Sequence, residues 1–259
     1  MDDATQLTTL HAATTAMGDT VRAADPQATV PSCPGWTVTD LVDHLGRVHL
    51  WAAHCARTGS PPDPYPRRGR DQPLPDWYAA CADTIVTTLG ELPPDHPAWS
   101  FSAVPGHQDV RFWRRRQVHE TTIHHVDALQ ACGRLPTTGL VDHLPVLTPG
   151  QAADGIAEVF EVMAPRSLVR HADRPPLDVI PAERPVAFAC SDTGASWTLS
   201  VVDAMVRVDD VPVRDAVALV SGPASHLYLS LWHRADSSLL RTEGDEAAAR
   251  RLLGAALVP

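Results

Sequence analysis

The sequence predicts an α+β protein, with a helical bundle over the first two-thirds of the chain and a small domain of strands and helices after it. Three observations carry this prediction. Apolar residues in the first part recur close to the helical period, as at Leu7, Leu10, Ala13, Met17 and Val21. The stretch HADRPPLDVIPAERP, residues 171–185, breaks the composition and marks a boundary, giving domains 1–172 and 173–259. Beyond it the runs VAFAC, SWTLSVV, AMVRVDD and AVALVSG cluster or alternate β-forming residues at strand length.

In chain order, a first helix covers 3–24, followed by the turn PQATVPSCPGW. Thr37 stands three residues before Asp40, the spacing of a capping box, and opens a second helix, TVTDLVDHLGRVHLWAAHC. Its expected inward stripe is Leu41, His44, Val48, Trp51 and Cys55. Residues 59–75, rich in Pro and Arg, read as an exposed loop. A third helix spans 75–92 and a long fourth one 109–133, closed by Gly133. A further helix, 148–169, starts with Thr148 as cap and Pro149 in its first position. In the second domain GPASHLYLSLWHR is a helix with Pro223 at its first position, SLLRTEG a strand, and DEAAARRLLGAAL a closing helix capped by Asp245.

Composition excludes several functions. A net charge of −10 over 259 residues argues against a nucleic-acid partner. All 21 basic residues are arginine, so Schiff-base lysines, lysine-anchored pyridoxal phosphate and the P-loop lysine are absent. The five cysteines are scattered, with no C-x-x-C, which predicts no disulfide framework and a reducing cytoplasmic home. The acidic start does not read as a signal peptide, and no apolar run reaches membrane-span length. The expected partner is a small molecule, not nucleic acid or membrane.

The stretch RRRQVHETTIHHVDAL, residues 114–129, concentrates the chemistry. Glu120 and His124 are four apart and share a helical face, which Gln117 and Asp127 extend by a turn each way. The zinc-protease motif HExxH is absent, because Ile123 stands where its second histidine would be. Glu120 and His124 can supply two ligands to a divalent metal. His44, on the second helix, is the candidate third. Such a set leaves a coordination position open, and Asp127 is placed to hold a ligand imidazole. His49 and His54 read as surface or rim positions and His119 as a structural hydrogen-bonding group. Pro34 and Trp36 read as shaping the turn, and Cys33 as structural for want of a His or Asp partner. Arg114, Arg115 and Arg116 splay around the helix, so a solvated face is the default expectation; at most one or two reach a cavity mouth, where they would bind carboxylates.

Two segments carry a resemblance. VPSCPGWTVTDLVDHLGRVHLWA resembles the first signature of the mycothiol-dependent maleylpyruvate isomerase family of actinobacteria, a Cys-Pro-Gly-Trp turn followed by Asp-Leu-Val-x-His-Leu-Gly. WRRRQVHETTIHHVDA resembles the second, Arg-x-x-x-His-Glu-x-x-x-His-Arg-x-Asp-Ala. The resemblance implies a DinB-like four-helix bundle joined to an α+β domain like that of sterol carrier proteins. The family's metal triad falls on His44, Glu120 and His124, with zinc and mycothiol as the implied cofactors. The implied reaction is cis–trans isomerisation, or thiol addition or transfer, on an electrophilic unsaturated substrate. LYLSLWHR is similar to the family's Leu-Trp-Gly-Arg-like helix end, which makes Arg234 the catalytic candidate of the second domain alongside Asp127, with His233 in place of Gly. Arg116 and His125 are the thiol-binding candidates; many relatives carry Arg where this chain has His125. Two other readings stand beside this one: a metal-assisted hydrolase with Asp43 or Asp127 as base, and a non-catalytic binding or regulatory module.

Overall fold

The computed structural model describes residues 3–69, 71–137, 139, 147–170, 180–203, 205–209 and 211–259. The chain forms two compact units, Met1–Thr137 and Thr138–Pro259. The division lies ahead of the boundary expected at 172/173, because the helix after residue 148 packs on elements of the second unit.

In the first unit α1 (Asp3–Ala23), α2 (Val38–Thr58), α3 (Leu74–Glu91) and α4 (Val110–Ala131) form a bundle. In it α1 packs on α3 and α4, and α2 does the same from its own side. The α2 capping box forms as the sequence predicts: the Thr37 hydroxyl accepts from the Asp40 amide, and the Asp40 carboxylate accepts from the Thr37 amide. Its buried face matches the predicted stripe only at Leu41 and Cys55. Leu41, Val42, Leu45, His49 and Ala52 are buried, whereas His44, Val48 and Trp51 form a half-buried flank. The wider apolar stripe turns into α3, and on the flank Trp51 packs against Trp99, Phe101 and Trp113. Gly46 lets α2 and α3 approach closely, since a Cβ there would lie 2.6 Å from Trp77 Nε1.

α4 is buried almost all round. Only Arg111, Arg115, Glu120 and Ala131 escape burial, so the solvated face expected for the arginine run is not there. Arg114 is spent on the carbonyls of Leu89 and Leu92 at 2.8–3.1 Å. The hydroxyls of Thr121 and Thr122 return to the carbonyls of Gln117 and Val118. Polar groups satisfied in this way can be buried without large cost.

In the second unit α5 (Pro149–Glu158) runs through a π-helical turn, Val159–Met163, into α6 (Ala164–Arg170). Thr148 caps α5, as predicted, with Gln151 completing a capping box. Five strands follow in the order β3-β2-β1-β4-β5: β1 (Val186–Cys190), β2 (Ser196–Val202), β3 (Met205–Asp209), β4 (Ala218–Gly222) and β5 (Arg241–Gly244). The central β1–β4 pair is parallel and the other pairs antiparallel. α7 (Ala224–Leu231) packs on α5, β1 and β4, and α8 (Glu246–Leu253), capped by Asp245, on β4 and β5. Pro223 is the cap of α7 rather than its first residue, and the start of SLLRTEG is a 3₁₀ turn, Ser237–Leu239, before β5. No helix among the described residues is long and apolar enough to cross a membrane.

Placing a methyl group in the α2–α3 contact tests this packing. Gly46→Ala should lower unfolding free energy by roughly 1–3 kcal/mol, read as a shift in the urea midpoint.

Candidate functional site

Glu120 and His124 stand one turn apart on α4, and His44 faces them from α2. Glu120 Oε1 lies 3.4 Å from Nε2 of both His44 and His124. One ligand atom from each of the three residues lies within 4.8 Å of the others, and the two imidazole rings meet edge to face at 5.0 Å. Two ligands about 2.1 Å from a shared tetrahedral ion stand roughly 3.4 Å apart, so the two carboxylate–imidazole separations suit a common cation. The donor set, two nitrogens and one oxygen, is one that zinc accepts.

The other Glu120 oxygen accepts a 2.8 Å hydrogen bond from Arg116, whose side chain is 2% exposed. Burial works against the Glu120 charge. The Arg116 guanidinium, followed by the hydrogen bonds from the two histidines, nevertheless holds the carboxyl well below its usual range. His124 Nδ1 donates to Asp127 at 2.9 Å, which leaves Nε2 facing the cluster. Burial opposes charge on this imidazole too, but Asp127 and Glu120 together raise it to about 9. The cluster therefore calls for positive charge between its carboxylates.

The turn before α2 supplies a second layer that the sequence did not reveal. Ser32 donates to Asp127 at 2.5 Å, and Cys33 Sγ lies 3.7 Å from the other Asp127 oxygen. Cys33 thus has an acidic partner, contrary to expectation. Trp36 reaches the His44 ring at 5.1 Å, so it borders the cluster as well as shaping the turn. The bond from Val30 N to Trp36 O closes this turn, and Gly35 takes a positive φ of 83°.

The remaining candidates fall elsewhere. His125 is buried against α1, sharing a 3.0 Å hydrogen bond with Thr20, and burial lowers it to about 4; it is not part of the cluster. His49, expected on the surface or rim, is fully buried, with Nδ1 donating to Gln117 at 2.7 Å. The i, i+4 and i+7 relation of Leu45, His49 and Ala52 carried that signal. His119 is buried, and His54 is half-buried. Asp43 is ion-paired with Arg68 at 2.5 Å. Arg234 lies in the second unit, donating to the Trp232 carbonyl at 2.7 Å with its guanidinium 5.9 Å from the Trp232 ring centre.

Residues 7–129 match the family described as mycothiol maleylpyruvate isomerase N-terminal domain. The helical bundle belongs to that family. Two crystal structures of the mycothiol-dependent maleylpyruvate isomerase, one of them a histidine-to-alanine mutant, share the fold. They superpose with TM-scores of 0.55 for the mutant and 0.53, each over 94% of this chain and 93% of theirs, at 14% identity. The likeness therefore reaches through the five-stranded second unit as well as the isomerase-family bundle. No curated protein matches the chain.

The buried His49 gives this bundle a pH signature. Burial is the main cause that lowers it from 6.5 to about 4, with the Gln117 hydrogen bond acting in the opposite direction. Between those pH values the unfolded chain binds a proton that the folded chain refuses. Stability from this group is therefore complete above pH 6.5, falls as pH drops through the window, and levels off below about 4. The loss is on the order of 3 kcal/mol, and urea titrations across the window should show a correspondingly shallower decline for His49→Gln.

Proposed function

We propose that this protein is a metal-dependent, mycothiol-using isomerase or S-transferase whose chemistry takes place at His44, Glu120 and His124. The observation that carries the reading is the convergence of two imidazole nitrogens on one oxygen of a half-buried carboxylate. Bound by these three residues, a divalent cation such as zinc would supply an open Lewis-acidic position at which a low-molecular-weight thiol is kept as its anion at neutral pH.

The chain's own groups set the rest. Arg116 neutralises Glu120 from behind and fixes its orientation, leaving Oε1 for the cluster. Asp127, itself held by Ser32, takes the Nδ1 proton of His124 and leaves Nε2 as the ligating atom. With a thiolate held there, the site would support its addition to an electrophilic cis double bond, followed either by rotation and elimination to the trans isomer with return of the thiol, or by protonation and release of the thioether. Arg234 is the second-unit residue proposed to act on substrate, and a cytoplasmic location accords with the scattered free cysteines.

The hydrolase reading is weaker, because both of its candidate bases are engaged: Asp43 by Arg68, and Asp127 by Ser32 and His124.

Metal analysis tests the site. Protein prepared without chelator should hold about one divalent ion per chain, His44→Ala and Glu120→Ala should hold none, and Asp127→Asn should bind it roughly 10- to 100-fold more weakly. Calorimetry should show mycothiol binding the metal-loaded protein but not the chelator-treated one. A metal-free wild type would end the proposal.

A further inference from the structure

About one turn from the cluster along each of its helices lies a polar pair that the site chemistry does not use. His49 and Gln117 are fully buried, and their 2.7 Å hydrogen bond joins α2 to α4. The pair is costly to bury. Among the described residues no hydrogen bond reaches His49 Nε2 or Gln117 Nε2, nor the buried hydroxyl of Tyr78, whose ring lies 6.0 Å from that of His49. Each orphaned group of this kind costs on the order of 1–3 kcal/mol, more than one neutral hydrogen bond returns. Apolar residues of similar shape would make the more stable core, so the pair calls for a role in geometry.

Its place along the two helices says which geometry. Ser32, just ahead of α2, meets Asp127; His44 meets Glu120; and His49 meets Gln117. Positions rise along α2 as they fall along α4, so the helices run antiparallel and these contacts are successive rungs between them. The last two are separated by about 7.5 Å on α2 and about 4.5 Å on α4, at roughly 1.5 Å per residue. A single rung lets a helix pivot about it, whereas two fix slide and rotation together. Apolar packing orders α2 in another direction, since its close approach, at Gly46, is to Trp77 of α3. A slip of one residue against α4 moves His44 by about 1.5 Å, against the roughly 0.2 Å within which metal–ligand distances are held. Burial keeps His49 uncharged at neutral pH, so the second rung brings no positive charge toward an ion held at the first.

We propose that His49 and Gln117 are positioning residues that set the register of α2 against α4 and thereby hold His44 opposite Glu120 and His124. The inference deepens, and for its functional consequence rests on, the reading that the chemistry takes place at those three residues.

Two readouts test it, one of them free of metal. In chelator-treated wild type the His44 and His124 rings, whose centres lie 5.0 Å apart, should give an NMR cross-peak between their carbon-bound protons. The double variant His49→Leu/Gln117→Met removes the bond and its orphaned atoms together. It should fold, lose most of that cross-peak, and bind cobalt(II) alone roughly 10- to 100-fold more weakly. His49→Asn, which keeps a donor near the place of Nδ1, should retain the cross-peak and most of the cobalt affinity. A merely structural pair would shift the urea midpoint and leave both readouts alone. A folded double variant with the wild-type cross-peak and cobalt affinity therefore overturns the inference, and so does His49→Asn behaving as the double variant does. Should the double variant fail to fold by circular dichroism, Gln117→Met takes its place under the same criteria. A wild type that takes up no cobalt but shows this pattern of cross-peaks removes the metal reading and leaves the positioning role standing.

Discussion

A carboxylate withdrawn from water must be surrounded by groups that replace its hydration, and in this bundle that group is Glu120. Its charge survives burial because Arg116 contacts one oxygen and two imidazoles face the other. The demand runs in both directions. Arg116 can be buried to 2% exposure because Glu120 answers its charge, and His44 and His124 have a shared acceptor because Glu120 stays ionised. Helix α4 is otherwise almost entirely enclosed, so the 15% exposure of the Glu120 side chain marks where the cluster meets solvent.

The short turn ahead of α2 couples the two helices that carry the cluster. Ser32 and Cys33 reach Asp127 on α4, and Trp36 reaches His44 on α2. Backbone bonds close the turn on itself and the Thr37 capping box fixes where α2 begins, so one local structure sets both imidazoles. Ser32 and Cys33, remote from any chemistry in sequence terms, thus act on the orientation of His124 through Asp127.

The second unit repeats a device of the first. α4 and α7 both end in a Schellman arrangement: Arg134 N and Gly133 N return to Leu129 and Gln130, and Arg234 N and His233 N return to Leu229 and Ser230. The left-handed position is Gly133 in one case, φ 65°, and His233 in the other, φ 59°. The departure from the family's Leu-Trp-Gly-Arg pattern therefore falls where the backbone favours glycine. His233 holds that conformation while its ring nitrogen meets the Ala255 carbonyl at 3.3 Å. Arg234 leaves the helix from this strained corner.

The amino-acid sequence by itself determined the helices, their caps at Thr37, Thr148 and Asp245, the strand runs and the face shared by Glu120, His124 and Asp127. These depend on local periodicity and on hydrogen bonds between residues three or four apart, which a linear reading contains. Pairing His44 with that face needed inference across two helices, and the family signatures supplied the same three residues. Tertiary structure alone decided which flank of α2 is half-exposed, that α4 is wrapped on nearly every side, and that Ser32 and Cys33 serve Asp127. Those outcomes turn on which partner reaches a polar group first. Arg114 is taken by Leu89 and Leu92, and Asp43 by Arg68, through contacts between residues more than twenty positions apart, a separation at which no local pattern records who meets whom.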